Sequence, residues 1–327
     1  MEFQIKILLI SFVATVLLGL VIIPILQKLK VGQNERDDGP ESHLKKQGTP
    51  TMGGIIMLIS VIISTFCGYL YYTNIKNEPD VARNLIPFLI LSLGFGFIGF
   101  LDDFIKLILK NTKGLSPKLK MLGLLVISVF YTIYQMSYNS LGTETFIPFI
   151  KTYITLPVYI YIPFIILVML ATTNAINLTD GVDGLAGCVS VVIVTTLVAI
   201  SILLGLKEVT IFGSIICGAI IGFLLFNLNK AKVFMGDTGS LFLGGIIAGM
   251  TIYLKMPLIL LIIALVPVCE TLSVMLQVAY FKKTGKRIFK MAPLHHHFEL
   301  CGWKENKVVL IFSSVTLLLC ILGIFSI

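Results

Sequence analysis

The sequence predicts an all-α, polytopic membrane protein, and three observations carry that expectation. Of its 327 residues, 57% are hydrophobic and only 13% are charged. The mean hydropathy, +0.98, lies far above that of a soluble domain of this size. Apolar runs of about 20 residues, enough to cross a hydrocarbon core about 30 Å thick as helix, recur along the whole chain.

The first run, Ile5 to Leu26, is too long for a signal-peptide core and lacks a small-x-small cleavage site, so it reads as a retained transmembrane helix. Further runs fall near residues 52–72, 85–101, 119–138, 156–174, 186–206, 210–228, 239–254, 257–281 and 307–326, which makes about ten spans. No soluble insert, low-complexity tract or internal repeat divides them. Residues 1–327 are therefore read as a single integral-membrane domain.

Charge sets the expected orientation. Loops 27–51, 102–118 (counted to Lys120), 175–185, 229–238 and 282–307 hold 5, 5, 0, 2 and 7 of the lysines and arginines, 19 of 25. The positive-inside rule puts these loops in the cytoplasm, both termini outside, and any cleft they build on the cytoplasmic face of the cell membrane. A net charge of +8 would suggest nucleic acid in a soluble protein. Here topology accounts for it, and no nucleic-acid partner is expected. The six cysteines have no ligand spacing and read as packing residues.

The basic side also carries the unusual polar residues. Asp102 and Asp103 end the third span and precede Lys106, Lys110 and Lys113. An ordinary i,i+4 pair of Asp102 with Lys106 is the bland reading. Two adjacent carboxylates on an apolar helix end are costly without a compensating cation, which favours a functional one. The preceding Gly94-x-Gly96-x-x-Gly99 has no flanking strand and no βαβ unit, so it is not a dinucleotide fingerprint. Gly96, Gly99 and Asp103 share a helical face and suit a close-packing stripe.

Asn174 to Gly187 joins spans five and six with two Asp, two Asn, three Gly and no basic residue. An EF-hand is excluded by the missing D-x-D-x-D-G order and closing Glu. Glycines permit close backbone approach, and the acids accept from a cation or a base edge. Asn227 to Ser240 contains Asp237-Thr-Gly-Ser, but the β-rich fold of aspartic proteases is absent. The Gly-x-Gly-Asp of intramembrane aspartyl proteases fails because residue 234 is Phe. Asp237 lies just before span eight, where a helix N-terminus with Lys230 and Lys232 favours an anion. Helix capping by Asp237 or Thr238 is the alternative.

Glu270 and Gln277 lie in span nine. An intramembrane Glu is either functional or a buried packing group, and Gln277 is close enough to the cytoplasmic end to line the same cleft. His295, His296 and His297 are consecutive. Their side chains splay about 100° apart and grip a single ion poorly. Pro293 is expected to open a short helix that leaves His295 and Glu299 on one face. Hydrogen bonding of phosphate or of a transition state suits His295 and His296 better, with His297 holding the loop.

Converging carboxylates need a divalent cation, and oxygen ligands favour magnesium or manganese, which share their shell with phosphates. Lys45, Lys46, Lys106 and Lys118 would complete a phosphate site. Phosphoryl transfer between a lipid phosphate and a soluble phosphorylated donor is the leading class. An ion-coupled transporter, the alternative, would want mid-membrane acids and inverted repeats.

Five motifs make the chain recognisable: Lys46-Gln-Gly-Thr-Pro-Thr-Met-Gly-Gly54, Gly99-Phe-Leu-Asp-Asp103, Asn174-Ala-Ile-Asn-Leu-Thr-Asp-Gly-Val-Asp-Gly-Leu-Ala186, Phe234-Met-Gly-Asp-Thr-Gly-Ser240 and Ala292-Pro-Leu-His-His-His-Phe-Glu299. In this order, over essentially the whole chain, they resemble the phospho-N-acetylmuramoyl-pentapeptide-transferase family. That family is a branch of the polyprenyl-phosphate N-acetylhexosamine-1-phosphate transferases of glycosyltransferase family 4 type. The histidine motif separates this branch from relatives that transfer GlcNAc-1-phosphate to polyprenyl phosphate.

The resemblance implies a reaction in which UDP-MurNAc-pentapeptide and undecaprenyl phosphate give lipid I and UMP. It also implies Mg²⁺ dependence, a cytoplasm-facing cleft among membrane lipids, and a homodimer. Carried over by motif, Asp237 matches a metal ligand, with Asp102 and Asp103 as further candidates. Asp102 and Asp103 match the pair assigned to lipid phosphate and catalysis. Asp183, Phe234 and the backbone of Gly181 and Val182 resemble a uracil pocket. Asn174, Asn177, Asp180, Asn227, Lys46, Lys106, Lys118, Gln277, His295 and His296 match substrate-contacting or activity-critical positions. A phosphate monoester has a second pKa of about 6 and is already nucleophilic at neutral pH. Asp102 and Asp103 are therefore expected to position the attacking phosphate, with proton abstraction secondary.

Overall fold

The computed structural model describes residues 2–29, 48–107, 109, 114–137 and 141–327. Lys45, Lys46, Lys110 and Lys113 lie outside the described residues.

The chain is a bundle of long helices: α1 (Glu2–Lys28), α2 (Gly54–Leu70, continued by a wider turn Tyr71–Ile75), α3 (Pro79–Leu107), α4 (Pro117–Ser137), α5 (Val158–Thr179), α6 (Leu185–Leu203), α7 (Lys207–Asn227) and α8 (Gly236–Tyr253). A 3₁₀ turn (Pro257–Ile259) leads into the short α9 (Leu260–Ile263), then come α10 (Leu265–Thr284), α11 (Leu294–Leu300) and α12 (Glu305–Phe325). Among the described residues, nine helices are long and apolar enough to cross a membrane: α1 to α7, α10 and α12.

Helix α8, the eighth span of the sequence reading, is not among those nine. The reason lies in what surrounds it. Every residue from Thr238 to Tyr253 is buried, and α2, α3 and α5 pack along it. A helix walled by protein needs small residues for close approach more than apolarity, and Gly239, Gly244, Gly245 and Gly249 supply them. Two approaches are backbone-close: a Cβ on Gly99 of α3 would overlap the carbonyl of Asp237, and one on Gly54 of α2 would overlap the backbone of Gly239. Of the glycine stripe expected on α3, Gly99 faces α8 and sets how near the two acid-bearing helices come, whereas Gly96 packs against Leu58 of α2.

Two features depart from the sequence reading. The run near 257–281 is not one span, because the helix breaks at Ala264 before α10 begins. Beyond Ser273, α10 has no buried residue, and Met275, Leu276, Val278 and Phe281 face outward. Secondly, the segment between α4 and α5 forms an antiparallel hairpin, β1 (Glu144–Ile147) and β2 (Thr152–Thr155). It closes the bundle at the end opposite the acidic residues: Phe146 N–H donates to the Lys255 carbonyl (2.8 Å) and Phe149 N–H to that of Ser326 (2.8 Å). The hairpin is too short for alternating hydrophobicity to announce it.

Candidate active site

Five segments meet at the far end of α3: the first turns of α4 and α8, the loop after α5, the strand-like residues before α2, and α3 itself. Asp103, buried, points into the N-terminus of α8. Its carboxylate accepts from Asp237 N–H (3.2 Å), Thr238 N–H (2.9 Å) and the Thr238 hydroxyl (2.6 Å). The helix is capped from another helix, neither by Asp237 nor by Thr238. A helix N-terminus stabilises a carboxylate through its unpaired N–H groups and its dipole.

Asp102, one residue earlier, turns toward a different cluster. Its Oδ2 lies 2.6 Å from Lys106 Nζ and 3.6 Å from Lys120 Nζ, and its Oδ1 accepts from Leu115 N–H (2.7 Å). The same two ammoniums reach Asp237 Oδ2, Lys106 at 3.0 Å and Lys120 at 2.8 Å. Two carboxylates and two lysines therefore form one closed ring of charge. The Lys106 pair with Asp102 does occur at i,i+4, but it is part of this larger ring.

Lys120 is a residue that sequence reasoning passed over in favour of Lys118. Lys118 is exposed at the start of α4. Lys120 lies four residues before Leu124 and eight before Ser128, the buried stripe of α4. That helical spacing was the available signal.

Asn177 joins the ring from α5, donating to Asp237 Oδ1 (2.7 Å) and to the Ser240 hydroxyl (2.8 Å). Asn174, one turn earlier, turns back on its own helix and donates to the Leu170 carbonyl (2.7 Å). Asp180, at the end of α5, has its carboxyl pushed well above the usual range by burial and by the negative charges of Asp237, Asp103 and Asp183. Asp183 accepts from Ala231 N–H (3.0 Å). Asn227 takes Gly184 N–H on its oxygen (3.1 Å) and donates to the Val233 carbonyl (2.9 Å). Asp183 and Asn227 thus stitch the loop after α5 to the loop before α8. Val182 is buried between them, and half-buried Phe234 pairs by backbone with Pro50 and Gly53, both at 2.8 Å.

The three histidines point three ways, as the splay of consecutive side chains requires. His295 is buried against Gly181 and faces Glu270 of α10. His296 pairs with Glu299 at 2.8 Å, three residues on. Pro293 opens the expected short helix, α11, on which His295 and Glu299 stand one turn apart, and the partner of Glu299 is His296. His297 Nδ1 accepts from Lys290 N–H (3.1 Å) and holds the basic loop. Gln277 does similar work: its oxygen takes Ile288 N–H and Phe289 N–H, both at 3.0 Å, and its amide donates to the Phe289 carbonyl (3.1 Å).

Among the described residues, no three His, Cys, Asp or Glu side chains gather as a ready-made metal set. The donors near Asp237 nevertheless suit a hard cation that keeps waters and borrows phosphate oxygens. Asp102 and Asp237 offer carboxylate oxygens to the same space, where two ammoniums now balance them. Asp103, with both oxygens engaged by α8, has the least to offer a metal.

Relatives match the chain over almost its full length. A family model described as Glycosyl transferase family 4 matches residues 85–255, from the second turn of α3 through α8. The phospho-N-acetylmuramoyl-pentapeptide-transferase of Clostridium perfringens (strain 13 / Type A) is 50% identical over 314 residues, covering 96% of this chain and 95% of the relative. Those of Clostridium botulinum (strain Eklund 17B / Type B) and Acetivibrio thermocellus are 47% and 46% identical, over 97% of this chain and 94% and 93% of theirs. With Asp102, Asp103 and Asp237 of these motifs gathered at one end of the bundle beside Lys106 and Lys120, the chain belongs to the phospho-N-acetylmuramoyl-pentapeptide-transferase family, within glycosyl transferase family 4.

Proposed function

We propose that the chain transfers phospho-MurNAc-pentapeptide from UDP-MurNAc-pentapeptide to undecaprenyl phosphate, giving lipid I and UMP. An oxygen of the lipid phosphate attacks the sugar-bound phosphorus of the donor. A new phosphoanhydride forms, the bond to the bridging oxygen breaks, and UMP departs with that oxygen.

The single observation that carries this reading is the ring of Asp102, Lys106, Lys120 and Asp237 at the helix ends. Both reactants are anions, so the barrier is dominated by bringing negative phosphates together in line. Lysine screening and positioning supply most of what such a step needs. Lys106 and Lys120 are already poised on carboxylates that can release them to phosphate oxygens. Asp102 holds the lysines and the Leu115 backbone in register, a positioning role, and Asp103 keeps the first turn of α8 aimed at the site.

Magnesium is the proposed cofactor, held by Asp237 with Asp102. When bound it would neutralise charge on the diphosphate and the departing UMP. The segment Asn177–Asp183, from the last turn of α5 into the loop after it, is with Phe234 the proposed nucleotide seat, and the basic loops 102–118 and 282–307 argue for a cytoplasmic cleft in the cell membrane. A homodimer in the bilayer is the proposed assembly.

UMP release from UDP-MurNAc-pentapeptide, with and without Mg²⁺, tests the reading. Release is expected to need the metal and to fall at least 10²-fold in Asp237→Ala, the scale of losing a key electrostatic group. Full activity without Mg²⁺ would sink it. Offering UDP-GlcNAc in parallel separates this sugar from the alternative donor.

A further inference from the structure

Glu270 is the most deeply buried acid among the described residues, with no exposed surface, on α10 five residues past its start. Nothing in the charge ring touches it. Its partner is His295, equally buried at 1% exposure. Glu270 Oε2 lies 3.3 Å from His295 Nδ1 and accepts, weakly, the His295 backbone N–H at 3.4 Å. The Nδ1 contact is ion-pair distance but off the line of a good hydrogen bond, and Glu270 Oε1 and His295 Nε2 have no partner among the described residues.

An uncompensated carboxylate at that depth is costly. Polar atoms so buried are paired in the great majority of cases. The geometry suggests what the cost maintains. The far edge of the His295 ring, at Nε2, presses on Gly181, so closely that a Cβ there would overlap it. Gly181 lies in the loop whose neighbours Asn177 and Asp183 bond to the α8 turn and to Ala231. A carboxylate, an imidazole and a glycine backbone thus stand in series from the interior of α10 to the loop.

We infer that Glu270 is a positioning residue: it holds the His295 ring in one tautomer and orientation, so that His295 acts as a strut under Gly181 and keeps the Asn177–Asp183 segment in its nucleotide-receiving shape. The inference rests on the proposed function, which makes this segment the nucleotide seat. A neutral ring beside the carboxylate carries its proton on Nδ1, and rotation of the carboxylate closes that hydrogen bond. A carboxylate next to a ring nitrogen fixes tautomer and orientation in this way wherever imidazoles must stand still.

Two measurements test it on the full chain in detergent or nanodiscs. The first is ¹⁵N NMR of histidine-labelled protein. With four histidines in the sequence, the His295 signal is assigned by its loss in His295→Gln. The expected result is an Nδ1–H form in the parent protein and a shift toward the Nε2–H form or a mixture in Glu270→Gln. The second is titration with UMP alongside steady-state kinetics. Glu270→Gln is expected to weaken UMP binding and raise KM for the UDP-sugar about tenfold with kcat within about threefold. His295→Gln is expected to do the same, and the double variant no more than the worse single, as residues acting in series do. A fully additive double variant, or unchanged UMP affinity in Glu270→Gln with an unchanged tautomer, would overturn the inference while leaving the transferase reading intact. If UMP were not released by the parent protein at all, the functional reading itself would fall.

Discussion

Asp103 accepts two hydrogen bonds from Thr238, one from its backbone N–H at 2.9 Å and one from its hydroxyl at 2.6 Å, across 135 positions of sequence. The neighbouring carboxylate, Asp102, makes no part of this cap and belongs to the lysine ring. Adjacent residues of one helix therefore do separate work, and variants should tell them apart.

Asp103→Ala removes three acceptor contacts from a buried helix start, which costs about 2 kcal/mol or more. Its thermal unfolding midpoint should fall clearly, whatever happens to UMP release. Asp102→Asn should lose activity with a smaller change in that midpoint. Recovery of full Asp102→Asn activity at pH 9 would argue for a base in place of positioning.

The two ammoniums on Asp237 stand where a divalent cation would be drawn. Taking one away leaves more negative charge for the ion, so Lys106→Ala and Lys120→Ala should each bind Mn²⁺ more tightly in the absence of substrate, by roughly tenfold. Electron paramagnetic resonance of free Mn²⁺ measures this directly. UMP release should meanwhile fall about 10²-fold, because phosphate loses its screening. Looser Mn²⁺ binding in both variants would rule out competition between lysine and metal.

Asp180 offers a dependence on pH. Its carboxyl is raised in the folded chain by burial and by the charges of Asp237, Asp103 and Asp183. A raised acid contributes stability while it is protonated, below the ordinary value of about 3.9, and loses it as pH rises through the folded value. Asp180→Asn has no such proton to lose. Without divalent cations, its unfolding midpoint should exceed that of the parent, and the gap should widen from pH 5 to pH 8. A gap that shrinks with rising pH would contradict the assignment.

Gln277 grips Ile288 and Phe289 through three hydrogen bonds. Gln277→Ala should free residues 285–292, seen as faster amide hydrogen exchange there by about tenfold or more, with α3 and α8 unaffected. Unchanged exchange would leave Gln277 as a substrate contact alone.

Much of this was legible in the sequence, for identifiable reasons. Spans of lipid-facing helix advertise themselves by apolar length, which is why α1, α6, α7 and α12 fall close to their expected ranges. The acids Asp102 and Asp237 stand out against that background, and the structure brings them together. Illegible were the relations that depend on direction: that Asp103 caps α8, that Lys120 and not Lys118 faces inward, and that Asn174, Asn227 and Gln277 bond to backbone. The break at Ala264 was hidden because hydropathy is insensitive to a helix that bends while staying apolar. Glu270 was visible as an oddity, but its partner lies 25 residues away on a helix of only seven residues.

Helix α8 carries Asp237 and yet is less apolar than the nine helices suited to lipid. Such a segment has a weak claim on the bilayer when it leaves the ribosome. Its walls, α2, α3 and α5, are all synthesised earlier, and its glycines sit against them and against Tyr131 of α4. Biogenesis of this protein therefore has an order to it. The helix at the heart of the site is received by partners already inserted, so a lesion in Gly99 would show first as failed membrane integration and only second as lost catalysis.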